Sequence, residues 1–242
     1  MSMSLRLLDA HGRAEHAFLE PSDYCTYLAQ YCAGPGGQGD GYSRLMRHFK
    51  CEPSLVRSDW RRRRHKQQAI ATLAQWLRDA VTREDVQGTT WVPVPPSKQY
   101  GDPDFDDRLA RTLKLAFGAY DMDMRPLLYQ VHSTLPDHRG PVRLSADELY
   151  GILRLDAPAL LERPVRARIA LFDDVLTTGK HFKCCERRLR EALPGTPILG
   201  VFLLRRALPG RWRSLPLTYV RQRTDVVAAC GECHALSRRN PP

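Results

Sequence analysis

Apolar positions along the chain change period several times, and each change marks an element. Ile70, Leu73, Ala74 and Leu77 share one face of a helix that begins near residue 60. A short apolar run follows at 90–95, and helical spacing returns at Leu109, Leu113, Ala116 and Phe117. Runs at 126–131, 168–173 and 197–204 have the length of strands, a helix-like stretch covers 145–153, and Phe182, Cys185, Leu189 and Leu193 place a helix over 180–193. Strands alternating with helices predict an α/β fold, a Rossmann-like parallel sheet with helices on both faces. Residues 1–59 are the least regular. A Gly-rich loop at 34–41 splits two amphipathic stretches there, and Tyr24, Tyr27 and Tyr31 have the i, i+3, i+7 spacing of a packing face. The division expected is an accessory region at 1–59, a core domain at 60–206 and a basic C-terminal extension at 207–242.

Composition narrows the class. The chain has 242 residues, 43% of them hydrophobic, which suits one principal domain, and no apolar run is long enough to cross a membrane. Asp9, His11, Arg13, Glu15 and His16 interrupt the first twenty residues, so no secretory leader is read there and a cytoplasmic location is expected. Seven cysteines, an odd number, in a chain of this size point to reduced thiols. Cys230 and Cys233 have the spacing of half a zinc site and would need two more ligands, so structural Zn²⁺ and free thiols both stand as readings. The net charge is +10, and residues 61–66 read Arg-Arg-Arg-Arg-His-Lys at the start of a helix. Four arginines there oppose the helix dipole, which hints at a compensating anion, acidic side chains or a nucleic acid docked on a basic surface; an ordinary solvated charged face is the other reading.

The most informative segment is Arg168 to His181. An apolar strand runs into two carboxylates, Asp173 and Asp174, then into Val175, Leu176, Thr177, Thr178, Gly179 and Lys180, where a helix opens. Ligands of open α/β sheets bind at the carboxyl ends of strands, and a helix N-terminus offers N–H groups to a phosphate. Threonine hydroxyls add donors, and glycine allows close approach of the backbone. The carboxylates have the wrong sign for phosphate, so sugar hydroxyls or a divalent cation are their partners. A phosphorylated sugar fits both halves. The bland alternative is a Rossmann-like turn whose acidic pair merely caps the helix.

This segment resembles the signature of the type I phosphoribosyltransferases: four apolar residues, two acidic, two apolar, then Thr-Thr-Gly. The resemblance implies that Asp173 and Asp174 contact the ribose hydroxyls of phosphoribosyl pyrophosphate (PRPP), and that residues 175–180 wrap its 5′-phosphate. It implies a phosphoribosyltransferase-type sheet with a small hood, placed here at 1–59, and a Mg²⁺-dependent transfer of the 5-phosphoribosyl group to a nitrogen acceptor with release of pyrophosphate, within nucleotide metabolism. Mg²⁺ would sit near Asp173 and Asp174 by way of PRPP, and a homodimer is compatible with such a fold. The acceptor, a nucleobase or an amine, is not named by any motif.

A second segment, Trp91-Val-Pro-Val-Pro-Pro-Ser-Lys98, is a strand ending in a polar turn with a cation, and is similar to the ComF-like branch of the family. It suggests Pro96, Ser97 and Lys98 as pyrophosphate contacts. An acidic stretch follows, in which Asp104, Asp106 and Asp107 read either as favourable charge in the first turn of the next helix or as metal or pyrophosphate handling. Between the strands, residues 132–140 are punctuated by Gly and Pro and read as a mobile loop, which the resemblance implies closes over the reaction. His138, Arg139 and Arg143 there either neutralise departing pyrophosphate or are ordinary surface residues. A different class of function also stands, a non-catalytic sensor of PRPP or a nucleotide that controls a nucleic-acid or protein partner through the basic surface.

Overall fold

A computed structural model describes residues 3–32, 41–134 and 144–207. His138, Arg139, Arg143, Cys230 and Cys233, with nearly all of the 207–242 extension, lie outside the described residues. The elements are β1 (Arg6–Leu7), α1 (Ala10–Arg13), β2 (Cys25–Cys32), α2 (Gly41–Phe49), α3 (Pro53–Ser58), α4 (Trp60–Ala80), α5 (Arg83–Gln87), β3 (Thr89–Pro93), α6 (Arg108–Phe117), β4 (Asp123–Met124), β5 (Leu128–Gln130), α7 (Ala146–Ile152), β6 (Leu153–Leu155), α8 (Ala157–Leu161), β7 (Arg168–Leu176), α9 (Lys180–Ala192) and β8 (Ile198–Ala207).

Six strands form one sheet in the order β1-β2-β8-β7-β3-β4, all pairs parallel except β1 with β2. The central strands are near-continuous apolar runs because both faces are covered. Side chains alternate along a strand, and partners in register point the same way. Trp91 is in register with Ala170, and its ring meets Phe172 and, on α6, Phe117, with centroids 6.3 and 5.2 Å away. Phe202 points to the other face and meets Phe182 of α9 at 6.2 Å. Helices therefore cover both faces, with α6 on one, packed against α4, and α9 on the other, packed against α7. The molecule is an α/β structure with a mostly parallel mixed sheet, and no helix among the described residues is long and apolar enough to cross a membrane.

Four of the expected elements are present near their expected limits: α4, β3, α6 and α9. Strands 168–173 and 197–204 form but run longer, to Leu176 and Ala207. The stretch at 145–153 forms α7, closed at its start by a capping box in which Ser145 and Glu148 exchange side-chain and backbone bonds. Two expectations need correction. The run at 126–131 leaves the main sheet; β5 pairs antiparallel with β6 in a separate two-stranded ribbon, and the edge position beside β3 goes to β4. The stretch 25–32, read as part of an accessory region, is a strand of the main sheet. Cys25, Thr26, Tyr27, Leu28 and Ala29 are all buried, which suits a strand covered on both sides better than a helix with one apolar face. Residues 1–59 thus divide: β1 and β2 are built into the sheet, while α2 and α3 pack against α4.

Candidate functional site

Strands β3 and β7 are neighbours, and a cavity of about 200 Å³ opens at their carboxyl ends. Residues 94–98 line one wall and residues 173–182 another, with Lys50, Asp106, Arg108 and Thr134 between them. The two segments singled out in the sequence therefore meet. The first is cut from the sheet by its prolines: Val94 donates the last ladder bond, to the Phe172 carbonyl at 2.9 Å, and Pro95 and Pro96 have no N–H to continue it. The turn that follows is pinned from outside. The Thr134 N–H and hydroxyl both donate to the Ser97 carbonyl, at 2.7 and 3.2 Å, and the Gln99 N–H donates to the Ser133 hydroxyl at 3.2 Å. Ser97 and Lys98 are left on the cavity wall.

Consecutive residues at the end of β7 point to opposite faces, which separates the acidic pair. Asp174 turns toward α6 and is buried. Its Oδ1 accepts from Lys50 at 2.7 Å, and its Oδ2 accepts from Arg108 Nη2 at 2.6 Å and Nε at 3.2 Å. Arg108 also pairs with Asp106 at 3.0 Å, and Asp106 with the buried Lys66 at 2.7 Å, so charges of alternating sign run from α4 through the cavity wall to the end of α2. Burial opposes ionisation of Asp174, but Lys50 and Arg108 outweigh it and hold the carboxyl well below its usual range. Asp173, half-buried and on the α9 face, is pushed up to about 7 by burial and then by the neighbouring Asp174 charge. Two carboxylates one residue apart thus differ widely in proton affinity, Asp173 holding a proton the more readily.

The turn after β7 is shaped by the chain around it. Val175 and Leu176 bury their side chains in the core and also line the cavity. Thr177 is exposed, and the Thr178 hydroxyl, one residue ahead of the N-cap Gly179, accepts from the Lys180 N–H at 3.4 Å. Gly179 has φ +82°, a conformation that disfavours any side chain, and a Cβ there would lie 2.6 Å from Leu19 Cδ2. The segment carrying Leu19 also binds the turn's carbonyls: the His16 ring bonds the Thr177 carbonyl, and the Phe18 N–H donates to that of Thr178 at 3.0 Å. Lys180 lines the cavity, but its ammonium donates to the Leu144 carbonyl at 2.6 Å, tying the start of α9 to the segment before α7.

The acidic stretch after Lys98 serves the start of α6 only in part: Asp106 accepts from the Arg108 N–H that opens the helix, at 3.2 Å. Asp104 accepts from the Ser54 N–H at 2.7 Å, Asp102 bonds Ser133, and Asp106 joins the charge chain; Asp107 occupies the N-cap position without a capping bond. These residues tie α3 and α4 to the cavity wall. The arginine run at 61–64 is exposed, and its anionic partner is in part the N-cap Asp59, which accepts from the Arg61 and Arg62 N–H groups and pairs with the Arg62 side chain at 3.3 Å. Lys50, Arg108, His16 and Leu19 went unmarked in the sequence, since each acts through a contact in space with a residue far along the chain.

No group of three or more His, Cys, Asp or Glu side chains among the described residues is arranged to hold a metal ion. No family model matches the chain, and no curated protein matches it.

Proposed function

We propose that the cavity binds PRPP and that the protein is a phosphoribosyltransferase, on a phosphoribosyltransferase-type sheet with α2 and α3 in the place of a hood. The observation that carries this reading is the meeting of the Asp173 to Lys180 turn and the Pro96, Ser97, Lys98 turn at the ends of adjacent parallel strands. One turn suits a 5′-phosphate at a helix N-terminus, the other a pyrophosphate beside a lysine, and the carboxylates between them suit ribose hydroxyls. Lys98 supplies positive charge to the wall, and Lys50, Arg108 and Lys66 outnumber by one the carboxylates of Asp106 and Asp174 with which they pair, which suits a polyanion.

The reaction is displacement at C1: a bond forms from the acceptor nitrogen to C1, the bond from C1 to the pyrophosphate oxygen breaks with its electron pair, and the nitrogen loses a proton. Rate would come from holding the sugar, stabilising the leaving charge and excluding water. Asp173 faces the cavity with a raised proton affinity and is the group placed to accept a hydroxyl or acceptor proton. Magnesium is assigned to the substrate. Both oxygens of Asp174 already have cationic partners, so the described residues do not form a protein cage for Mg²⁺, and the metal belongs with the phosphates it accompanies. Cys230 and Cys233, the candidate zinc ligands, lie outside the described residues.

A second reading rests on the exposed Arg61 to Arg64 face: a PRPP or nucleotide sensor that couples the cavity to a nucleic-acid or protein partner. The test for both is pyrophosphate release from Mg²⁺ and PRPP with a pool of nucleobases and small amines, using Asp173→Asn as control. Release that requires the pool and fails in the variant supports the transferase; PRPP binding without release supports the sensor; neither binding nor release sinks both.

A further inference from the structure

The turn at Thr177 and Thr178 is held from the side opposite the cavity by a segment that precedes the sheet's second strand. His16 is 2% exposed, and its two ring nitrogens have different partners. Arg205 Nε, which can only donate, gives its proton to His16 Nε2 at 3.1 Å. The ring proton therefore sits on Nδ1 and is donated to the Thr177 carbonyl. Arg205 is itself fixed by Glu15 at 2.8 Å, the Gly12 carbonyl at 3.2 Å and Gln30 at 3.2 Å, so the ring cannot turn without breaking a buried network. Two residues on, the Phe18 N–H takes the Thr178 carbonyl. Neither His16 nor Phe18 lines the cavity.

In a trans peptide the C=O and the following N–H point in opposite directions. Drawing the Thr177 and Thr178 carbonyls toward the N-terminal segment aims the N–H groups of Thr178 and Gly179 the other way, and both residues line the cavity. We propose that His16 is a positioning residue for anion binding, holding the turn so that these two backbone donors converge on the phosphate. The inference rests on reading residues 175–180 as a phosphate turn and adds to it a residue 161 positions away that sets the turn's orientation.

The test compares His16→Asn, His16→Gln and His16→Ala, with ribose 5-phosphate and inorganic phosphate as calorimetric probes and thermal unfolding as a parallel readout. The asparagine amide nitrogen stands where Nδ1 stands and keeps the donor to Thr177; a glutamine amide reaches the Nε2 position and keeps only the acceptor for Arg205. His16→Asn should bind both probes within about twofold of the unaltered protein, while His16→Gln and His16→Ala bind roughly tenfold more weakly, the scale of one charge-linked hydrogen bond. His16→Asn and His16→Gln each lose one bond, so their unfolding temperatures should fall alike. Affinity that follows unfolding temperature regardless of which bond is kept would overturn the positioning role while leaving the phosphate turn in place. An unaltered protein that binds neither probe at millimolar concentration would overturn the phosphate turn and His16's role with it.

Discussion

Asp174→Asn is a structural perturbation before it is a chemical one. The side chain is 6% exposed and neutralises two cations, Lys50 at 2.7 Å and Arg108 at 2.6 Å. The amide has nearly the same shape, so no void is created, and the loss is electrostatic. Removing one partner of a buried ion pair costs roughly 3–5 kcal/mol because the other charge is left uncompensated. Two features reduce that figure. The Lys50 side chain is 34% exposed and can turn into solvent, and Arg108 keeps Asp106 at 3.0 Å. A cost of about 2–3 kcal/mol follows, which for a chain of this length lowers the unfolding temperature by roughly 4–12 °C. Thermal and urea unfolding at pH 7.5 and low salt measure it. Adding Lys50→Met should recover part of the loss, since it removes one stranded charge. A fall of less than 2 °C, or no interaction between the two substitutions, would refute the claim that Asp174 anchors α2 and α6 to the sheet. Loss of activity in Asp174→Asn then has two causes, and Asp173→Asn is the cleaner probe of chemistry.

Three further outcomes are expected. Asp173 has a folded-state pKa of about 7, raised above the ordinary carboxyl value of 3.8, so the folded state holds the extra proton between those values and stability contributed by the group is lost as pH rises from about 4 to about 7. Asp173→Asn should gain stability relative to the unaltered protein across that window, read by urea unfolding at pH 4.5, 6 and 8; a difference that stays flat with pH would dismiss the shift. Gly179→Ala should destabilise by about 1–2 kcal/mol from the left-handed backbone alone, plus the overlap with Leu19, and Leu19→Ala should relieve only the second part, as urea midpoints would show. Lys98→Ala should weaken pyrophosphate binding by roughly tenfold with little change in unfolding temperature, the loss of one charge-assisted bond, and equal affinities by calorimetry would take Lys98 out of the site.

The two turns that meet at the cavity were legible because each sits where a strand's period breaks and carries residues with few other uses: paired carboxylates before Thr-Thr-Gly, and a proline pair before Ser-Lys. Strand β2 was not legible, since Tyr24, Tyr27 and Tyr31 satisfy a helical spacing as readily as a buried strand, and only the partner β8 decides between them. The run at 126–131 has strand period but gives no sign that it pairs with residues 153–155 instead of joining the sheet. Asp104 and Asp106 lie next to a helix start in sequence, yet Asp104 bonds Ser54 of α3, and Asp106, besides bonding Arg108 nearby, reaches Lys66 of α4. Lys50, Arg108 and His16 have no local signature at all. Their roles follow from which carboxylate or carbonyl the fold carries past them.

The parallel pairing of β2 with β8 also governs the order in which the molecule can be assembled. Thr26 and Gly200 are hydrogen-bonded across 174 residues, and the segment that grips the turn after β7 lies just ahead of β2. Contacts of such sequence separation form late and slowly, because the chain must close a long loop before they contribute. During synthesis the completed β2, with the short β1 already available on one edge, has to wait for its parallel partner until β8 leaves the ribosome. The cavity walls near β3 and β7 can condense earlier, but the turn that would receive an anion acquires its outer support only in the last step.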